Sequence, residues 1–286
     1  MARLILLTAL TMAAFAANSL LNRAALLDGG TGPAAFAALR LVSGAACLAL
    51  LVALRRETPK TRVLSRDRWI GAAALAVYML GFSFAYVSMD AGIGALILFG
   101  MVQVTMFSGG ILGGERPAAG RWLGTGFALV GLAWLAWPGV DQALPLIATA
   151  LMISAAVGWG IYSLVGRRAA DPLRETASNF LVASPVAVVI WLIFRDSLDA
   201  QGAMLAIVSG AITSGCGYAL WYAVLPRVDA SVAALSQLTV PVIAVLGGAL
   251  FLAETPSLRV VLASAVILGG VAFGILSQRK SGSSGS

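Results

Sequence analysis

Aromatic side chains recur at helical spacing in two apolar stretches, where they could bind a ligand but not transform it. Rings three or four positions apart lie on one helix face, as do Tyr78, Phe82 and Tyr86, and again Tyr218, Trp221 and Tyr222. A third stretch holds Trp159 and Tyr162, three positions apart. Membrane aromatics most often form interfacial belts or packing contacts. Because the two larger sets occupy related positions in a repeat, we expect four of these rings instead to line a cavity for an apolar or aromatic group, namely Tyr78, Phe82, Trp221 and Tyr222. Tyr218, Trp159 and Tyr162 are further substrate-binding candidates.

Polar residues interrupt the same kind of stretch and supply hydrogen-bonding groups. These residues are Asn18, Gln103, Ser236 and Gln237. A polar group inside a bilayer is costly unless it meets a partner or water. For Asn18 two interpretations stay open, namely an interhelical hydrogen bond worth about 0.6 kcal/mol or a place in a cavity. For Gln103 and Gln237 the cavity interpretation is favoured.

Arg40 is the one charged residue well inside an apolar stretch, seven positions after Pro33. One interpretation is that its side chain snorkels to the membrane surface or bonds backbone carbonyls. The other is that it pairs with a substrate carboxylate, because ionisable residues inside membranes are functional candidates.

Pro241 and a set of glycines are the candidate hinge or gate positions. Proline removes a backbone donor and so frees the carbonyl four residues earlier, which is that of Gln237. Small residues four apart allow close helix approach, which is the pattern around Gly109. Gly248 is its counterpart in the second half of the chain. The alternative is a simple kink with locally satisfied groups.

Enzyme chemistry has no support in this sequence. Histidine is absent, which excludes a Ser-His triad and an H-E-x-x-H zinc site. The two cysteines, Cys47 and Cys216, lie in apolar stretches far apart in the chain and indicate small buried residues rather than a disulfide or metal pair. We therefore predict no catalytic residue, no metal and no cofactor. The net charge of +7 is explained by membrane topology and does not indicate nucleic-acid binding.

The composition indicates an all-α integral membrane protein that has the lipid bilayer as its solvent. Hydrophobic residues make up 60% of the chain and charged residues 11%, against about 45–50% and about 25% in soluble domains. A span needs about 20 apolar residues. The sequence predicts ten transmembrane helices, at 3–22, 33–54, 69–88, 91–112, 119–137, 145–165, 174–194, 203–225, 230–252 and 257–277.

The order of turns and helices occurs twice at a constant offset, which indicates an internal duplication. Asp90 aligns with Asp229, Glu115 with Glu254, and each long apolar helix between them with its counterpart. Both aspartates are expected to be helix N-caps. We divide the chain into repeats at 1–138 and 139–280, followed by a tag or linker scar at 281–286. Because each repeat holds five spans, the second repeat is expected to lie inverted in the membrane, as in carriers that alternate their access.

Most lysines and arginines fall in the loops on one side of the predicted membrane topology, including the basic stretch 55–68. The positive-inside rule places that side, and both termini, in the cytoplasm. The expected location is a bacterial-type inner (plasma) membrane, crossed several times.

The combined pattern resembles the EamA-type branch of the drug/metabolite transporter superfamily. The residues that carry it are Asp90-Ala91, Glu115-Arg-Pro117 and Glu254-Thr-Pro256 with the glycines around them, Trp159-Gly160 and Arg40. The resemblance implies ten helices in two inverted halves and carrier-type transport. Within the branch the chain is most similar to bacterial YddG-type exporters of aromatic and neutral amino acids. Gln103 departs from the proline often found at this point of the fourth helix.

Three functions stay open after the sequence analysis. The favoured one is export of a small-molecule metabolite, most directly an amino acid, by alternating access through a central cavity. The second is a carrier for other organic solutes such as drugs, nucleobases or sugar derivatives. The third is a membrane scaffold without a solute pathway. The oligomeric state has no signal in the sequence.

Overall fold

The structure is a computed structural model that describes residues 2–55, 66–137, 144–167, 169–228 and 230–283. Every regular element in this part is helical, with twelve α-helices, one π-helical segment (Val208–Cys216) and one 3-10 turn (Leu225–Arg227). The α-helices are α1 (Ala2–Leu26), α2 (Pro33–Leu54), α3 (Arg66–Ala85), α4 (Ala91–Leu112), α5 (Ala119–Ala136), α6 (Leu146–Gly166), α7 (Pro172–Phe194), α8 (Ala200–Ile207), α9 (Gly217–Val224), α10 (Ala230–Gln237), α11 (Thr239–Phe251) and α12 (Leu258–Ser283).

The prediction of an all-helical, multi-span membrane protein is confirmed. Within the described residues, nine helical segments are long and apolar enough to cross a bilayer. The remaining predicted span corresponds to α5, which has 18 residues and carries Arg121. The eighth span, Ala200–Arg227, is built from α8, the π-helical segment, α9 and the 3-10 turn. Large apolar side chains cover the outside of the bundle; Leu112, for example, is 89% exposed, as expected where the neighbour is lipid.

The predicted ninth helix is divided into α10 and α11 at Leu238. Pro241 lies in the first turn of α11, where the backbone N–H that proline lacks would have no intrahelical partner. The division therefore places Gln237 at the end of α10, with a helix terminus beside it rather than a continuous helix.

The helices pack in pairs along the bundle. Helix α2 packs on α7, α5 on α12 and α4 on α11. Helix α3 packs on α6 and α1 on the α8–α9 segment, while α4 also contacts α6 and α1 also contacts α11. Close approach needs a glycine at the tightest contact, because a Cβ at Gly158 of α6 would lie 2.6 Å from the Ala74 carbonyl oxygen of α3.

Some predictions fall outside the described residues. Most of the basic stretch 55–68, Asp229 and the end of the expected tag at 284–286 are among them. Helix α12 continues to Ser283, past the predicted end at residue 277.

Candidate functional site

A cavity of about 700 Å³ lies between α4, α5, α6, α9, α10 and α12. It opens at one end of the bundle, where Glu115, Arg121 and Arg167 border its mouth. These are the charged side chains among the described residues that line it. Deeper in the bundle its wall is aromatic, amide and aliphatic. A volume of this size is in the range of small-molecule binding sites.

More than half of the substrate-binding residues predicted from the sequence line this one cavity. They are Gln103, Trp159, Tyr162, Tyr218, Trp221, Tyr222 and Gln237. Gln103 comes from α4 and Gln237 from α10, so that the two amides are contributed by different helices. Sequence reasoning missed Met106, Phe107 and Thr125, which also line the cavity. Their side chains carry no signal that separates them from ordinary apolar helix positions.

The inner wall of the cavity is a connected set of rings. Trp159 stacks on Tyr162 with centroids 5.4 Å apart and lies 5.1 Å from Tyr218. Phe15 of α1 packs edge-on against Tyr218 at 5.7 Å and against Trp221 at 6.0 Å. Phe15 was not predicted, because a single phenylalanine in an apolar helix carries no signal until the neighbouring helices are known. The rings hold one another at geometries that aromatic pairs prefer.

Asn18, Arg40, Tyr78 and Phe82 do not line the large cavity. They lie behind its aromatic wall, where Asn18, Tyr78 and Phe82 border a second void of about 10 Å³. Trp159 and Tyr218 border both spaces, so they form the partition between them. A void of this size holds about one water molecule.

Asn18 is the centre of a buried polar cluster that the sequence did not reveal. Its Oδ1 accepts hydrogen bonds from the hydroxyls of Ser209 (2.9 Å), Thr213 (2.6 Å) and Ser214 (3.3 Å). All three donors lie on the π-helical segment, whose wider turn brings them to one side of the helix. Such segments occur frequently at functional sites. Ser236, in contrast, donates to the carbonyl of Val232 in its own helix and does not reach the cavity.

The other predicted hinge or gate positions, Gly109 and Gly248, are places of close packing. Gly109 faces the side chain of Leu164 on α6, and a Cβ there would overlap it. A Cβ at Gly248 would lie 2.5 Å from the Oε2 of Glu254, so this glycine leaves room for that carboxylate. Both glycines therefore serve close packing in this state.

The end of the bundle opposite the mouth is closed by an ionic cluster around Glu254. Its carboxylate accepts from the Ala91 N–H at 2.9 Å and from the Arg23 Nε at 3.3 Å. Arg23 also donates to the carbonyls of Tyr86 and Val87, each at 3.1 Å. This cluster joins α1, the start of α4 and the α11–α12 loop. Burial raises the pKa of Glu254, and nearby Asp90 adds to the rise, while the Ala91 N–H and Arg23 oppose it.

The prediction that the Asp90 side chain caps the N-terminus of α4 is wrong. Asp90 occupies the N-cap position of α4, but its side chain makes no capping hydrogen bond. The carboxylate that caps α4 comes instead from Glu254, far along the chain. A long-range contact satisfies the helix end, and a local sequence pattern does not report it.

The two cysteines are also closer than the sequence suggested. The Sγ atoms of Cys47 on α2 and Cys216 in the π-helical segment lie 3.8 Å apart, and both thiols are free. They are partly exposed rather than fully buried, and they are neighbours across a helix interface.

Comparison with known proteins gives a consistent family. The sequence profile of the EamA-like transporter family matches residues 146–276. The chain is 49% identical to an uncharacterised Pseudomonas aeruginosa protein, PA1977, over 97% of this chain and 96% of that one. It is 24% identical to the uncharacterised transporter YoaV of Bacillus subtilis, over 84% and 86% of the two chains. An uncharacterised transporter of Archaeoglobus fulgidus is 23% identical over 84% and 87%.

A solved structure, described only as the crystal structure of a protein, has the same fold. It superimposes with a TM-score of 0.70 at 20% identity, over 98% of this chain and 99% of the other. These relatives are consistent with the apolar helical bundle and its internal cavity, since a membrane transporter needs both. The chain belongs to the EamA-like transporter family and is a multi-pass membrane transporter.

Proposed function

We propose that this transporter exports small metabolites, most directly aromatic and neutral amino acids, by alternating access through the central cavity. The observation that carries the proposal is the cavity itself, with rings on its inner wall and one amide on each of two helices. A scaffold without a solute pathway has no need for such a space.

The cavity wall suits a zwitterion with an apolar side chain. Trp159, Tyr162 and Trp221 offer ring faces and edges to an apolar or aromatic group. The amides of Gln103 and Gln237 each provide donors and an acceptor, so they suit both the ammonium and the carboxylate of an amino acid. Charged residues border only the mouth among the described lining residues, which favours a substrate with no net charge over a multivalent ion.

The arrangement of the helices supports two inverted repeats, at 1–138 and 139–280. If the halves are related by a two-fold axis, each of the first five spans corresponds to the span five places later. The α3–α6 contact then has its counterpart in the contact of α1 with α8–α9, and the α4–α6 contact has its counterpart in the α1–α11 contact. The α2–α7, α5–α12 and α4–α11 pairs map onto themselves. A two-fold relation of this kind lets one bundle adopt two states that the axis interchanges, each open to a different side.

In this state the cavity is open at the Arg121 and Arg167 end and closed at the Arg23–Glu254 end. The positive-inside rule assigns the open end to the cytoplasm. The structure then corresponds to the state that loads substrate from the cell, as an exporter requires. Release needs the Glu254 cluster to separate while the mouth closes.

Proteoliposomes preloaded with labelled phenylalanine, leucine or uridine test this proposal. Efflux of phenylalanine or leucine from protein-containing vesicles, above that from empty ones, is expected. Efflux of uridine alone would favour the carrier of other organic solutes, and no efflux of any solute would favour the scaffold.

Gln237→Ala is the matched residue test. We expect lower amino-acid flux with an unchanged yield of folded protein, because the amide lines the cavity and no hydrogen bond joins it to another helix in the part of the chain that the structure describes. Ser184→Ala is the control, since that buried hydroxyl donates to the Phe180 carbonyl of its own helix. Equal loss of yield and flux in Gln237→Ala would make Gln237 a structural residue.

A further inference from the structure

Arg40 is fully buried within the bundle and does not extend to its surface. Its Nε and Nη2 donate to the Ser214 hydroxyl at 3.2 and 3.1 Å, and Nη2 also lies 3.4 Å from the Tyr78 hydroxyl. Its Nη1 has no hydrogen-bond partner among the described residues. No carboxylate of the described residues forms an ion pair with this guanidinium.

The neighbours of Arg40 compensate its charge only in part. The guanidinium carbon lies 5.1 Å from the Phe82 ring centroid and 5.7 Å from that of Tyr78, so two ring faces provide cation–π contacts. Hydroxyl groups and rings contribute much less than a carboxylate would, and a buried charge without a counter-ion is strongly unfavourable.

The groups around Arg40 form a donor-rich site next to the small void. Tyr218 borders that void, and within the described part of the chain its buried hydroxyl has no hydrogen-bond partner. The Nη1 of Arg40 and this hydroxyl are thus two unused donors, and Tyr78, which contacts Arg40, borders the same void as Tyr218. Donors without acceptors, around an uncompensated cation, are what an anion binds.

The site adjoins the substrate cavity. The rings of Trp159 and Tyr218 separate the small void from the large cavity, and Tyr78 and Phe82 link the void to Arg40. Movement of one ring of the partition would connect the two spaces.

We propose that Arg40 binds the carboxylate of the substrate once the Trp159–Tyr218 partition opens, so that transported substrates must carry a carboxylate. This inference rests on the proposed function, which places the substrate route in the large cavity. The binding of an anion at Arg40 does not itself require transport. Arg40 is then the anion-recognition residue of the carrier. The alternative ligand for the same donors is an inorganic anion such as chloride.

Binding is tested first, without transport, by thermal unfolding of the purified protein in detergent. Benzoate, benzyl alcohol and chloride are the probes, in a gluconate buffer, because a ligand that binds the folded state raises its unfolding temperature. We expect stabilisation by benzoate but not by benzyl alcohol, and a loss of benzoate affinity of about tenfold to hundredfold in Arg40→Gln, as for a hydrogen bond to a charged group.

Arg40→Lys keeps the charge and should retain part of the benzoate effect, while Ser184→Ala should behave as the wild type. If Arg40→Gln does not fold, Tyr78→Phe and Arg40→Lys carry the test, since both alter donors of the site and keep the positive charge. Equal stabilisation by benzoate and benzyl alcohol, or benzoate binding unchanged in every Arg40 variant that folds, overturns the proposal. Stabilisation by chloride alone overturns the assignment to a substrate carboxylate.

Transport then separates this inference from the proposed function. Vesicles loaded with phenylalanine should show efflux that vesicles loaded with phenethylamine, which lacks the carboxylate, do not. If no solute leaves the vesicles but benzoate binds in an Arg40-dependent way, the export proposal fails and the anion site stands. Equal efflux of phenylalanine and phenethylamine refutes the requirement for a carboxylate.

Discussion

Trp159→Ala is expected to weaken both the bundle and its selectivity, because this one ring belongs to the cavity wall and to the partition behind it. Trp159 is 8% exposed and lies within 5.0 to 6.1 Å of the rings of Tyr78, Tyr218, Tyr162 and Phe15. Truncation removes all four contacts and joins the large cavity to the small void.

The magnitude follows from the surroundings of the ring. Replacing an enclosed tryptophan by alanine costs about 3–5 kcal/mol. Because one side of Trp159 already borders an empty cavity of about 700 Å³, little packing is lost on that side. We therefore expect about 3 kcal/mol. Substrate binding changes separately. Loss of one aromatic contact to a bound aromatic substrate weakens its binding free energy by about 0.5–1.5 kcal/mol, which lowers the affinity about two- to tenfold.

The stability change is measured by unfolding in mixed micelles with increasing dodecyl sulfate, followed by circular dichroism. Selectivity is measured by competition of phenylalanine and leucine for binding. Trp69→Ala on α3 is the matched control, because that ring is 57% exposed and surface substitutions change stability by about 0.5 kcal/mol or less.

Two results would refute this role for Trp159. One is a loss of stability in Trp159→Ala no larger than that in Trp69→Ala. The other is a fall in the affinities for phenylalanine and leucine by the same factor, because the ring would then make no specific contact with an aromatic substrate.

Two further predictions concern the closed end and the cysteine pair. Since the pKa of Glu254 is raised in the closed cluster, that state binds a proton more tightly than an open state with Glu254 in water, and acidification strengthens closure. Hydrogen exchange of residues 86–92, corrected for intrinsic rates, should therefore slow as the pH falls through that pKa, and the effect should vanish in Glu254→Gln; faster exchange at low pH contradicts it. Cys47 and Cys216, with sulfurs 3.8 Å apart, should form an intramolecular disulfide under copper phenanthroline, since the bond needs an approach to about 2.05 Å. Mass spectrometry detects the linked peptides, Cys47→Ser is the control, and two thiols that stay free would show that α2 and the π-helical segment do not pack as described.

Several features of the site were accessible from sequence because they depend on local periodicity. Tyr218, Trp221 and Tyr222 share a helix face by their spacing alone, and that face lines the cavity. Gln103 and Gln237 were singled out because an amide in an apolar helix needs a partner, and both line the same space. The division of the ninth span at Leu238 lies close to Pro241, whose missing N–H disfavours a continuous helix.

Other features depend on contacts between distant parts of the chain. Asn18 looks equally suited to a cavity or to an interhelical bond until the three hydroxyls of the π-helical segment are placed around it. Glu254 was a repeat marker in the sequence, yet it caps α4 in the place of Asp90. No periodic pattern reports these contacts, because each joins residues more than 150 positions apart.

By itself the sequence determined that the chain is a helical membrane protein, because its apolar composition suits a lipid environment and its hydrophobic stretches have the length of membrane-spanning helices. It also determined which side chains are candidates for binding. Only the tertiary structure decided on which side of the aromatic partition each candidate lies, with Gln103 and Gln237 in the open cavity and Arg40 behind it. The physical reason is that depth within a bundle depends on how helices pack against one another, and packing is a property of pairs of distant segments rather than of any one of them.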